Sequence, residues 1–329
     1  VYKTLEYFSM KKSLIALAAL AAVGAASAQS TVTLYGRVDA SIGASKNTVT
    51  NVSTSQVFNG SAGGLTGSRW GMRGTEDLGG GLKAVFQLEN RLSVDDGNDT
   101  GGFQGDAFVG LSGDFGTVHL GRTYTAFDGV KAVSVGSSVF DSAFTPNALP
   151  AYAVRAANQV KYVSPSYSGF TATVTSGLRE STLATAKNTN GVALAYSAGP
   201  LTLAAGAQKD AAGENRGLTG AYNLGVASVS VGYSTLNGAN NGNDSKGINL
   251  GVNVPMGAFN FSVGYGSGDT ETNAGAKVSE YSGVGLGATY SMSKRTRLYA
   301  GLKNENTENA AGTKLTGTRL YAVGVRHDF

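Results

Sequence analysis

The chain has 329 residues, 26 basic and 22 acidic, with 48 glycines, five prolines and no cysteine. So small a charge surplus excludes a nucleic-acid surface, which needs a concentrated basic excess; the missing cysteines exclude disulfides, thiolate chemistry and zinc–cysteine sites. Glycine at about twice its usual share of roughly 7%, with charged residues well under the usual 25% or so, describes an all-β chain that spends glycine on turns and closely packed strands.

The first segment reads as an address. Lys11 and Lys12 precede an apolar run from Leu14 to Ala26, followed by Ala26-Ser27-Ala28. That is the n-region, h-region and A-x-A site of a secretory signal peptide, and the run is too short for a spanning helix, which needs about 20 apolar residues. Met10 is the expected start. Residues 1–28 are set aside as an extension plus signal peptide, removed before folding; residues 29–329 are expected to form a single barrel domain. Losing Lys3, Lys11, Lys12 and Glu6 leaves 23 basic and 21 acidic residues, so any electrostatic function depends on where the charges sit.

From residue 31 the pattern has period two. Val32, Leu34, Gly36, Val38, Ala40 and Ile42 share one face; Thr31, Thr33, Tyr35, Arg37, Asp39 and Ser41 share the other. Such alternation marks strands with one apolar and one polar face. It places strands near 31–43, 68–76, 82–92, 106–113, 117–124, 158–164, 170–178 and 190–196. Eight more follow near 201–208, 217–224, 227–235, 246–254, 258–266, 281–290, 295–303 and 318–329. Connections alternate short and long: 77–81, 114–116, 197–200 and 255–257 against 44–67, 93–105, 236–245, 267–280 and 304–317. Outer-membrane barrels have short periplasmic turns and longer external loops. The longest connection, 125–157, has the size of a functional loop. The last strand carries Tyr321, Val323, Val325 and Phe329 on one face. A soluble chain seldom ends so, whereas a barrel closes its last strand on its first, here expected along 31–42, and sets aromatics at the bilayer interface. Sixteen antiparallel transmembrane strands make a β-barrel too wide for side chains to fill, hence an aqueous channel.

Several stretches together resemble the general trimeric porins of Gram-negative outer membranes, in their β-proteobacterial branch. They are Thr33-Leu34-Tyr35-Gly36 with Asp39, the run from Ser68 to Ala84, Ala107–Ser112 with Phe115–Val118, Leu120-Gly121-Arg122, and Gly324–His327 with Phe329. The resemblance implies a homotrimer of sixteen-stranded barrels in outer-membrane lipid and lipopolysaccharide. It implies a third external loop folded into the pore, passive diffusion of ions and small hydrophilic solutes, and no cofactor. It also likens Phe329 to the terminal aromatic read by the barrel-insertion machinery.

A pore selects by width and by the charges at its narrow part. Alternation turns Arg69, Arg73 and Arg155 into the lumen, and Arg37 and Arg91 by parity alone. The resemblance sets Arg69, Arg122 and Arg155 in a basic wall of the constriction. Simple alternation puts Arg122 with Val118 and Leu120 on the lipid side, unless the strand bulges at Gly121. Asp128 and Asp141, the carboxylates of the long loop, would face that wall. Asp106 has lumen parity where the resembled family often carries a base, which tempers anion selectivity. The bland alternative for each arginine is a salt bridge along the wall, such as Arg37 with Asp39 or Arg91 with Glu89. The triad Asp95, Asp96 and Asp99 reads as a solvated loop tip, with no metal expected. His119 lacks the partners a hydrolase needs, so no enzyme is expected. The reading is a general diffusion pore with weak to moderate anion preference. A substrate-specific channel and a non-conducting adhesin or structural barrel are the alternatives.

Overall fold

The computed structural model describes residues 31–99, 101–135, 143–180, 187–238 and 242–329. The signal-like segment and Asp141 lie outside them. The described strands run β1 Thr31–Asn47, β2 Ser53–Asn59, β3 Ser68–Gly79, β4 Leu82–Leu92, β5 Ala107–Gly113 and β6 Gly116–Tyr124. Next come β7 Arg155–Val163, β8 Phe170–Gly177, β9 Thr189–Ala198, β10 Leu201–Lys209, β11 Glu214–Asn223 and β12 Ser228–Asn237. The last are β13 Asn243–Met256, β14 Phe259–Thr272, β15 Lys277–Ser291, β16 Thr296–Asn309 and β17 Lys314–Asp328.

From β3 onward each strand pairs antiparallel with the next, and β17 pairs with β1, so the sheet closes on itself. β2 and β3 share one stave. β2 lies along residues 40–46 of β1 and β3 along residues 31–37. Seventeen described strands therefore make sixteen staves. Between β2 and β3 the chain leaves the wall in a short insert, 60–67, that includes the one-turn helix α1 (Gly60–Gly63).

Three expectations need correction. The expected loop 44–67 is nearly half strand, the turn lying between β1 and β2. The expected loops 267–280 and 304–317 shrink to short turns between β14 and β15 and between β16 and β17. In both cases hydrophobic alternation fades where one face no longer meets an apolar phase, but the backbone ladder needs no apolar residues and continues. Third, the closing seam was expected against 31–42. It runs along 37–47 of β1, ending where Gly36 and Phe329 exchange both backbone hydrogen bonds, at 3.1 and 3.0 Å. Residues 31–37 pair instead with β3. Closing a barrel requires such a stagger between neighbouring strands.

The outer face is apolar and exposed: Val32 is 65% and Ile42 62% exposed, and Tyr321, Val323, Val325 and Phe329 share that face. The inner face is polar and is partly covered by residues 125–135 and 143–154. Helix α2 (Ala126–Val135) packs on β9–β12. Phe127 and Val130 bury against Ala204, and the chain then passes Gly247, Gly283 and Gly301, where Ala148, Pro146 and Phe144 leave no space for a Cβ. A covered loop must satisfy its backbone groups, and the wall does this with side chains. Thr175 Oγ1 accepts from Ala126 N–H at 3.2 Å, Asn249 Oδ1 from Ala148 N–H at 3.0 Å and Asp210 from Ala153 N–H at 2.9 Å. Thr219 and Gln208 donate to the carbonyls of Val130 and Ala153 at 2.6 and 3.0 Å.

Candidate functional site

Charged side chains gather on the inner face of β1, β3, β4, β7, β16 and β17. Glu89 of β4 is 4% exposed. Its carboxylate meets Arg91 Nη2 at 2.8 Å and Arg69 Nη1 at 3.7 Å. Tyr35 O–H donates to Glu89 at 3.1 Å and accepts from Gln87 at 2.8 Å. Arg69 also donates to Thr66 Oγ1 at 2.7 Å and to the Gly67 carbonyl at 3.3 Å, so the 60–67 insert fixes its direction. Arg73 is exposed and lies 5.1 Å from the centre of the Tyr35 ring.

Arg155 opens β7. It pairs with Asp106 at 2.9 Å and stacks over the Tyr124 ring at 3.5 Å. Asp106 therefore sits against the basic wall rather than across from it. The β6–β7 ladder slips between Gly121 and Thr123, with Gly121 at φ +139° and Asn158 at φ +49°. Arg122 stands at this slip and donates to the Gln104 carbonyl at 3.2 Å. That direction is toward the β4–β5 connection, which also carries Asp106.

Arg37 does not pair with Asp39. It meets Asp328 at 2.9 Å, as does Arg326 at 3.0 Å, with Arg297 at 4.0 Å. Asp39 is fully buried and accepts from Tyr299 O–H at 2.5 Å and Thr66 N–H at 3.1 Å. It anchors the insert, whose Gly64 carbonyl accepts from Ala143 N–H at 3.1 Å. One node thus holds both the insert and the far end of the described loop.

On the loop side, Asp128 accepts from Tyr152 O–H at 2.7 Å. Lys131, 5% exposed, donates to the Pro150 carbonyl at 2.9 Å and sits 4.2 Å from the Tyr152 ring centre. Burial pushes the Lys131 ammonium down from its ordinary 10.5 to about 8, against the pull of Asp128. Parity reasoning missed Lys131, Asp39 as an anchor, and Arg297. It saw Glu89 only as a partner of Arg91. A lone carboxylate on an otherwise polar strand face gives no sign of which side chains converge on it.

Residues 15–310 match the family model described as Gram-negative porin. Outer membrane porin protein 32 of Delftia acidovorans is 36% identical, over 96% of this chain and 95% of its own. The anion-selective porin from Comamonas acidovorans superposes with a TM-score of 0.73 at 25% identity, covering 92% of this chain and all of that one. OmpT of Vibrio cholerae, an outer-membrane protein solved in a trimer form, superposes at 0.70 with 19% identity, over 91% of this chain and 99% of that one. With a closed barrel that is apolar outside and charged within, this chain belongs to the Gram-negative porins, channel proteins of the outer membrane.

Proposed function

We propose that this porin passes ions and small hydrophilic solutes passively, with a preference for anions set by Arg69, Arg91 and Arg155 and extended by Arg37, Arg73 and Arg122. The supporting observation is the convergence of arginines on the wall. Glu89 answers Arg69 and Arg91 together, and Asp106 answers Arg155. On the loop side Asp128 is held by Tyr152 beside the Lys131 ammonium, which weakens it as an opposing acid. A cationic excess at a narrow place lowers the barrier for anions and raises it for cations. A relative of the same fold is described as anion-selective, and another is solved as a trimer, which supports a homotrimer here. In the same reading, lipopolysaccharide and lipid surround the apolar belt, and the barrel-insertion machinery reads the face of Tyr321, Val323, Val325 and Phe329.

The experiment is single-channel recording in a planar bilayer, with the reversal potential measured across a potassium chloride gradient. Conductance with an anion-selective reversal potential is expected. Absence of conductance would sink the channel reading, and a cation-selective potential would sink the arginine wall alone.

A further inference from the structure

Like charges directly opposite one another on adjacent strands are destabilising. This barrel nevertheless sets arginine against arginine three times on its inner face: Arg91 opposite Arg69, Arg69 opposite Arg37, and Arg326 opposite Arg297. Asp328 joins the two halves, in register with Arg37 and in ion-pair contact with Arg37, Arg326 and Arg297. Five arginines thus follow one path across β4, β3, β1, β17 and β16.

The path is not level. Arg91 and Arg69 lie at the ends of β4 and β3 far from their short turn, whereas Arg326 is near the end of β17 and Arg297 is the second residue of β16. The stagger of the strands carries the row down to the end of the barrel that bears the short turns, which faces the periplasm. A local rule broken repeatedly along one line marks a functional surface rather than a packing solution.

At the lower end three guanidiniums share a single carboxylate. Arg326 spends Nε and Nη2 on one Asp328 oxygen, to which Arg37 also brings its Nε. Arg297 reaches only 4.0 Å from the other oxygen. The other carboxylate in register, Asp39, is buried and committed to Tyr299 and Thr66. The side chains of Arg37 and Arg297 keep 28% and 31% of their exposure. A guanidinium presents five donors in a fork suited to carboxylate and phosphate oxygens.

We infer that Arg37, Arg297 and Arg326 form a second anion station at the periplasmic mouth, taking a small oxoanion with the geometry of a phosphate or carboxylate. It receives anions from Arg69 and Arg91 above. The inference rests on the anion-preferring reading and adds a site to it.

The test uses the whole protein inserted from one chamber of a planar bilayer, with inorganic tripolyphosphate added to either side. Block is expected at a lower concentration from the periplasmic side. Arg297→Gln, which leaves Asp328 held by two arginines, should raise the half-blocking concentration on that side roughly tenfold. Block from the other side should stay unchanged. Asp328→Asn should act oppositely and tighten periplasmic block. An Arg297→Gln channel with wild-type periplasmic block, or with equal weakening from both sides, would overturn the station. A cation-selective wild-type reversal potential would instead overturn the reading beneath it.

Discussion

Glu89 decides how much positive charge the middle of the lumen presents. It meets Arg69, Arg91 and Tyr35 at once, so two guanidiniums converge on one carboxylate. Reversing Arg69 should therefore change selectivity directly. Two units of charge about 8 Å from the ion path in water amount to about 1 kcal/mol for each permeating ion, opposite in sign for anion and cation, so about 2 kcal/mol or roughly a thirtyfold change in the ratio of anion to cation permeability. For Arg69→Glu we expect a reversal potential displaced toward cations by about that factor, with the folded barrel retained on gels; an unmoved potential would make Arg69 a structural tie to Thr66 and Gly67. Lys131 gives a pH dependence of known sign. In the unfolded chain a lysine keeps its proton to about 10.4, but burial drops this one to about 8. Below 8 both states are charged and the folded loop carries the desolvation cost. Between 8 and 10.4 or so the folded state sheds the proton first, and stability rises with pH. Deprotonation also removes the cation beside Asp128, so anion preference should fall between pH 7 and pH 9. Reversal potentials at the two pH values measure this, and Lys131→Met should flatten the response. At this scale the alternating pattern gives Arg37, Arg69, Arg73 and Arg155 the parity of the polar strand face. It could not show that Arg37 prefers Asp328 to Asp39, because those partners are 291 and 2 residues away in sequence and only barrel closure brings the first within reach.

The 60–67 insert and the described loop behave as one element, because each uses the other. Ser41 Oγ donates to the Gly63 carbonyl at 2.7 Å, Asp39 holds Thr66, and Gly64 holds Ala143. Phe58, Leu65, Phe144, Tyr299, Leu320 and Ala322 form a small apolar core at the junction. Removing only the Tyr299 hydroxyl, with Tyr299→Phe, keeps the ring beside Phe144, 6.3 Å away, but leaves Asp39 Oδ1 short of its donor. An orphaned buried acceptor costs on the order of 1–3 kcal/mol. The expected outcome is a lower thermal unfolding temperature in detergent and a noisier open-channel current, since the insert that positions Arg69 is loosened. Wild-type values for both would show that the node is dispensable. Nothing in the sequence pattern signalled this insert: 60–67 is a glycine-rich stretch inside what reads as an external loop, and such composition fits an exposed turn equally well.

For the whole molecule, the expected assembly is a trimer of independent pores. A single insertion into a bilayer should then raise conductance in one step that closes in three equal decrements, with trimer mass seen in native electrophoresis; single closing steps from particles of monomer mass would refute it. The architecture itself was open to sequence reasoning. Period-two alternation, a low charge fraction, abundant glycine and turns that alternate short and long give a closed barrel with a polar interior, because each of these is a local consequence of strands that meet lipid on one face and water on the other. The tertiary structure alone decided three things: the stagger that places 37–47 against β17, the pairing of β2 with β1 beyond the apolar belt, and the descent of the arginine row from Arg91 to Arg297. Alternation tells a residue which face it takes, but neither its height on the wall nor its neighbour across the sheet. Those follow from barrel closure, where the shear of sixteen staves fixes every register together.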